Sequence, residues 1–219
     1  MLVSRSFAFV HMPKTGGSWI VKTLLSSCPK DWSVRLFGAG HMEAKRAPAD
    51  LKSWVIIRNP WDWYVSTYFF HEQAMANRTG AFAGPHDQWA EPALQWEIAL
   101  SHVPPGPCGF APLVSGILNG TWLTRWNLRD RFNSMTRADD GTMLCGRVGR
   151  FENLRSEVLA SVRWAGEDDS VISTAVMKSA PFHVSDHARY GSYYTPRLAG
   201  EVGEFESDIV KTYGYTFEP

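Results

Sequence analysis

The sequence predicts an α/β domain, with a mainly parallel central sheet flanked by helices in three layers. Three observations carry this. The apolar run Ser6–His11 (S-F-A-F-V-H) stops at Met12-Pro13 and a glycine pair, as a buried strand entering a turn does. Ser53–Ile57 (S-W-V-I-I) is a second, clearer β run. A helical pattern follows each of them, and strands that alternate with helices imply right-handed crossovers in a parallel sheet.

After the first strand, Ser18–Ser27 reads as a short helix opening at a Ser cap. Trp32–Phe37 reads as a strand and Met42–Ala47 as a short helix. Beyond Ile57, Asn59 is a good N-cap, Pro60 a favoured first helical residue, and Asp62 suits the positive first turn, so a helix is expected over Pro60–Ala76. Asn77–Asp87 holds Gly80, Gly84 and Pro85 and reads as a loop. Trp89, Ala93, Trp96, Leu100 and Val103 recur at helical spacing despite Pro92, whereas Pro104–Pro112 reads as a loop. Thr142–Val148 is expected to be a strand, and Glu152–Trp164 and Asp168–Met177 to be helices. The last expected helix is Thr195–Tyr213, with Leu198, Val202, Phe205, Ile209 and Tyr213 on one face.

A chain of 219 residues is expected to form a single domain over 1–219, large enough to bury a core without disulfides or structural metals. With 22 basic and 22 acidic side chains, the overall balance gives no support to non-specific nucleic-acid or membrane binding. Locally, Arg125, Arg129, Arg131, Arg137, Arg147, Arg150 and Arg155 exceed the acidic residues of that stretch by three. Such a run reads as a solvated face, with an anion-binding rim as the alternative. Cys28, Cys108 and Cys145 are odd in number and lack C-x-x-C spacing, which favours reduced thiols over a disulfide framework or a zinc site. No run of signal-peptide or transmembrane length is seen, so a soluble, cytoplasmic protein is expected, and the sequons at Asn77 and Asn119 are then coincidental. Ten Trp is a rich content, expected mostly in packing.

The most informative segment is His11-Met12-Pro13-Lys14-Thr15-Gly16-Gly17-Ser18-Trp19, set between a strand and a helix. Paired glycines let the backbone turn its N–H groups toward one point, and the helix adds unbonded donors and the positive end of its dipole. Lys14 supplies charge, and Thr15 and Ser18 supply hydroxyls; together they suit a phosphate or sulfate. The order differs from a Walker A loop, in which the Lys follows the glycines and a Ser or Thr meets Mg²⁺. Arg58 ends the second strand, at the carboxyl edge where α/β proteins bind ligands. Ser66 lies seven residues past Asn59, two helical turns along, so Arg58 and Ser66 are placed to meet one phosphate.

These segments resemble the sulfotransferases that use 3′-phosphoadenosine 5′-phosphosulfate (PAPS). P-K-T-G-G-S is similar to their 5′-phosphosulfate loop, and Ile56–Asp62 (I-I-R-N-P-W-D) to their 3′-phosphate motif. Arg150–Leu154 (R-F-E-N-L) and the ending from Tyr193 to Phe217 resemble carbohydrate-type members related to heparan-sulfate sulfotransferases. The resemblance implies a P-loop-like fold and a sulfuryl transfer from PAPS to an acceptor hydroxyl, carbohydrate by preference, leaving 3′,5′-adenosine diphosphate (PAP). Lys14, Thr15, Gly16, Gly17, Ser18, Trp19, Arg58 and Ser66 would then bind the donor, with Lys178 and Ser179 added by looser analogy. No metal is implied, because PAPS carries its own activated group.

Such a transfer needs a general base. Gly40–Ala44 (G-H-M-E-A) resembles the stretch that carries the catalytic His in some carbohydrate sulfotransferases, which implies His41, with Glu43 as the rival. A His base is expected to titrate near 6.5, and Glu43 to turn aside at a loop-to-helix junction. Other constellations fail on spacing. His71-Glu72 has Met75 where a zincin needs His, His183 and His187 lie beside Pro181, and no G-x-S-x-G elbow occurs. A P-loop nucleotide kinase and a non-catalytic domain for nucleotides or sulfated glycans are the alternatives.

Overall fold

The computed structural model describes residues 1–38, 41–76, 95–122, 126–182 and 184–219. The expected loop over 77–87, the sequon Asn77, the first part of the Trp89–Val103 helix, Gly40, Arg125 and His183 lie outside the described residues. The chain forms two compact units: Met1–Arg58 with Arg131–Val184, and Asn59–Asp130 with Ser185–Pro219.

The first unit holds a five-stranded mixed sheet flanked by helices, in the order β3-β1-β2-β4-β5. Its strands are β1 (Leu2–Val3), β2 (Phe7–Val10), β3 (Arg35–Leu36), β4 (Lys52–Ile57) and β5 (Arg147–Arg150). β2, β4 and β5 run parallel, with Phe9 opposite Trp54 and Val55 opposite Val148. β1 is antiparallel to both β2 and β3, so the sheet is less parallel than expected. The cause is local. Ser4–Ser6 is too short for a crossover and can only turn the chain back on itself. Ser4 Oγ accepts the Ser6 and Phe7 N–H groups at 3.1 and 3.0 Å to hold that turn.

Phe7, Phe9, Trp54 and Ile56 alternate along β2 and β4 onto one face. There they meet Ile20 and Leu24 of α1 (Gly17–Ser27), Val158 and Val162 of α6 (Leu154–Ala165), and Ile172 and Val176 of α7 (Ser170–Lys178). The R-F-E-N-L stretch forms a 3-10 turn, Phe151–Asn153, ahead of α6. The short helix expected over Met42–Ala47 is a 3-10 turn, Ala44–Arg46, and the strand expected over Thr142–Val148 begins only at Arg147.

The second unit is helical. α2 spans Pro60–Ala76 as expected, and Asn59 Oδ1 accepts the N–H of Trp61 at 3.1 Å as its cap. Most of its residues are buried, including Trp61, Trp63, Tyr64 and Tyr68. Residues 95–101 are helical (α3), and Trp96 stacks on His71 of α2 with ring centroids 4.0 Å apart. The expected loop Pro104–Pro112 holds only to Gly106 and is overturned from Pro107 on. α4 runs Pro107–Leu118, with Pro107 at its first position and Gly106 at a φ of 70° before it. Pro107 forfeits only an N–H that the first turn leaves unbonded anyway. Pro112 costs one internal bond, which the buried face of Phe110, Leu113, Val114 and Ile117 outweighs. α5 (Leu128–Thr136) passes from this unit into the first. The expected helix Thr195–Tyr213 is two, α8 (Pro196–Phe205) and α9 (Ser207–Tyr213), divided at Glu206.

Candidate functional site

The loop from β2 to α1 is held in an unusual backbone conformation. Lys14 has a φ of 61° and Gly16 one of 78°. For Lys14 this costs energy that a non-glycine residue pays only where its surroundings fix it. Thr15 is fully buried and its hydroxyl donates to the carbonyl of Met12 at 3.0 Å, so it braces the loop from within. Gly16, at the N-cap of α1, makes no side-chain capping bond, which leaves the first-turn N–H groups to other acceptors. A Cβ on Gly16 would come within 2.7 Å of Leu154 Cδ2, and a Cβ on Gly17 would overlap the His11 imidazole. Glycine is therefore favoured at 16 by its backbone conformation and required at 17 by packing.

Arg58, at the end of β4, reaches this loop. Its Nη1 donates to the carbonyl of Lys14 at 3.1 Å, and its guanidinium lies 4.2 Å from the centre of the Phe151 ring. The loop, the strand end and the R-F-E-N-L segment are thereby brought to one place in the first unit. Burial, and secondarily the Arg58 charge, push the Lys14 ammonium down to about 7. Lys14 is thus close to half protonated at neutral pH, short of the full charge its residue type implies.

Trp19 is buried on α1, and the Arg155 guanidinium of α6 sits 5.2 Å from its ring centre. Arg155 also donates to the carbonyls of Val176 and Ser179, the latter at 2.6 Å. Thr23 of α1 donates to Ser179 Oγ at 3.4 Å. Arg155 therefore draws Trp19 and Ser179 together, while Lys178 is exposed at the end of α7. Nothing in the run of arginines from 125 to 155 distinguishes Arg155 by sequence; only the packing of α7 against both α1 and α6 does. Its neighbour Arg147 is engaged otherwise, at 2.6 Å from Glu157.

His41 lies against the same loop. Its Nδ1 is 2.8 Å from the carbonyl of His11. A carbonyl only accepts, so Nδ1 carries the proton, and in the neutral ring Nε2 carries the lone pair. The two imidazoles are 4.3 Å apart, centre to centre. Burial pushes His41 down to about 4, against the bond to His11, with the charge of Arg131 and the amino group of Met1 adding to the fall. The expected titration near 6.5 is thereby replaced by a much lower one. Glu43 stands before the Ala44–Arg46 turn and pairs with Lys45 at 3.4 Å, and Lys45 in turn meets Asp139 at 3.0 Å.

Ser66 belongs to the second unit, where its hydroxyl meets Ser185 Oγ at 3.1 Å. The same unit contains a buried acid that has no motif to announce it. Glu206 accepts the Tyr64 hydroxyl at 2.7 Å and the N–H groups of Leu128 and Arg129 at 3.0 and 2.8 Å. Burial raises its carboxyl to about 7 against those three donors.

Comparison of the chain with protein-family models, curated proteins and solved structures gives no match. Among the described residues, no group of three or more His, Cys, Asp and Glu is placed to hold a metal ion, and no helix is long and apolar enough to cross a membrane.

Proposed function

We propose that this chain is a PAPS-dependent sulfotransferase, with a P-loop-like donor site and a carbohydrate hydroxyl as its preferred acceptor. The observation that carries the reading is the meeting of Lys14, the glycine turn, the uncapped start of α1 and Arg58 in one unit, with His41 hydrogen-bonded to the same loop. This donor set suits a ligand with phosphate groups. Backbone N–H groups and an ammonium favour a terminal phosphosulfate, and a planar guanidinium favours a phosphate elsewhere on the nucleotide.

When bound, PAPS would supply a sulfuryl group already joined to a good leaving phosphate. Lys14 and the N–H groups of Gly16 and Gly17 would hold the charge that gathers on the leaving oxygen. His41 Nε2 would take the acceptor proton, with Nδ1–H anchored on the His11 carbonyl throughout. Thr15 would keep the loop in shape rather than touch the ligand. Lys178 and Ser179 would extend the donor site, and Glu43, paired with Lys45, would stand aside from the chemistry.

Thermal denaturation with nucleotides tests the reading directly. PAP should raise the melting temperature clearly more than ATP, which lacks the 3′-phosphate, because a ligand that binds only the folded state stabilises it by mass action. Arg58→Ala should erase that preference. Equal shifts for PAP and ATP would remove the basis for two phosphate sites.

A further inference from the structure

We propose that His11 is a positioning residue, the spacer that fixes the distance and tautomer of His41 relative to the phosphate loop. The inference rests on His41 being the base in the function proposed above, and it adds a residue that no transfer chemistry requires by itself. His11 is the first residue after β2, so its backbone is anchored by the parallel sheet. It makes four contacts. Its carbonyl receives the Nδ1–H of His41 at 2.8 Å. Its ring lies 4.3 Å from the His41 ring, tilted by 51°. The same ring, through its Cδ2 and Nε2, fills the space where a side chain on Gly17 would be. Phe9, two residues earlier on the strand, stacks behind it at 6.0 Å.

One imidazole is thus wedged between the first residue of α1 and the ring that would take the acceptor proton. Moving His11 moves His41 with respect to the loop. A shift of about 1 Å in such a spacing can cost on the order of 100-fold in rate. The carbonyl bond has a second effect: it selects the tautomer with Nε2 unprotonated. Burial also pushes His11 well below its ordinary range, with His41 adding to the fall, so the two rings resist sharing positive charge. The charged groups acting on His41 are Arg131 of α5 and the Met1 amino group just ahead of β1, with the titratable ring of His11 beside it.

The test compares the unaltered full chain with His11→Ala and His11→Phe. His11→Ala keeps the carbonyl and removes the wedge; His11→Phe keeps a flat ring without nitrogen. The ¹⁵N shifts of His41 are followed against pH without any substrate, and kcat and KM for PAPS are measured on an acceptor that the unaltered chain sulfates. In the unaltered chain His41 is expected as the Nδ1–H tautomer. His11→Ala should let water reach His41 and move its titration upward toward the ordinary 6.5. It should lower kcat by roughly 10- to 100-fold while KM for PAPS changes by about twofold or less. His11→Phe should restore most of the rate and the low titration, and it still decides the matter if His11→Ala fails to fold. An Nε2–H tautomer in the unaltered chain, an unmoved His41 in His11→Ala, or a His11→Phe chain perturbed like His11→Ala would each overturn the proposal. If no acceptor is turned over, the activity reading fails, yet the shifts of His41 still decide whether His11 positions it.

Discussion

Lys14 and His41 each differ from what their residue types alone would suggest, and in both cases burial is the leading cause. A Lys near 7 is only partly charged in the ligand-free chain. Bound phosphate would favour the ammonium, so PAP binding should draw a proton from solution, and affinity should fall as pH rises above about 7. Calorimetry in buffers of different ionisation enthalpy reads this uptake; no buffer dependence would show that Lys14 does not meet the ligand. Lys14→Ala should cost turnover about 100- to 1000-fold, the scale of a lost oxyanion donor. With His41 at about 4, the rise of turnover with pH should lie well below 6.5, and its loss in His41→Ala with PAP binding retained would assign it. A dead Glu43→Ala beside an active His41→Ala would move the base to the carboxylate. Gly17→Ala should destabilise the chain by about 1–3 kcal/mol through overpacking against His11, measurable by urea unfolding.

Helix boundaries in the second unit are decided by single residues. α8 and α9 share one apolar periodicity, yet the chain breaks at Glu206, which has a φ of −94° and a ψ of 19°. The break turns its carboxylate onto the N–H groups at the start of α5 that have no intrahelical acceptor, so one acid ends a helix and caps another. Glu206→Gln keeps the size but presents an amide to three donors, of which it can satisfy fewer. A loss of about 1–3 kcal/mol in urea unfolding is expected. An unchanged midpoint would mean that these bonds are replaced by water at no cost.

The two units should respond to pH in opposite directions. In the first, His41 titrates at about 4 and His11 well below its ordinary 6.5. Their contribution is complete above 6.5 and is lost as pH falls toward 4, because the unfolded chain binds the extra protons. In the second unit Glu206 is raised from 4.5 to about 7. Here the folded state binds the extra proton, so its contribution is complete below 4.5 and is lost as pH rises through about 7. Hydrogen exchange followed by mass spectrometry, corrected for intrinsic rates, should show protection in β2 and α1 rising between pH 4.5 and 6.5. Protection in α2 and α8 should fall over the same window. Parallel changes in both units would show that these groups do not govern the local stability.

The strand–loop–helix around Lys14, the strand end at Arg58 and the cap that starts α2 were all readable from the sequence. Each depends on neighbours within a few residues: apolar runs, a glycine pair, an Asn-Pro step. Of the nine Trp among the described residues, seven, those at 19, 32, 54, 61, 63, 96 and 126, proved to be buried packing, as their apolar bulk requires. What the sequence left undecided depends on partners far along the chain. The α4 helix survives two prolines because its apolar face is buried, and the 195–213 periodicity is interrupted because Glu206 finds donors some 78 residues away. Arg155 joins Trp19 to Ser179 only when α6 lies beside α7, and His11 meets both Gly17 and His41 only after folding. Local backbone preference settles turns, caps and short elements. Desolvation and long-range contact settle which helices end, which acids and bases shift, and which side chains face one another.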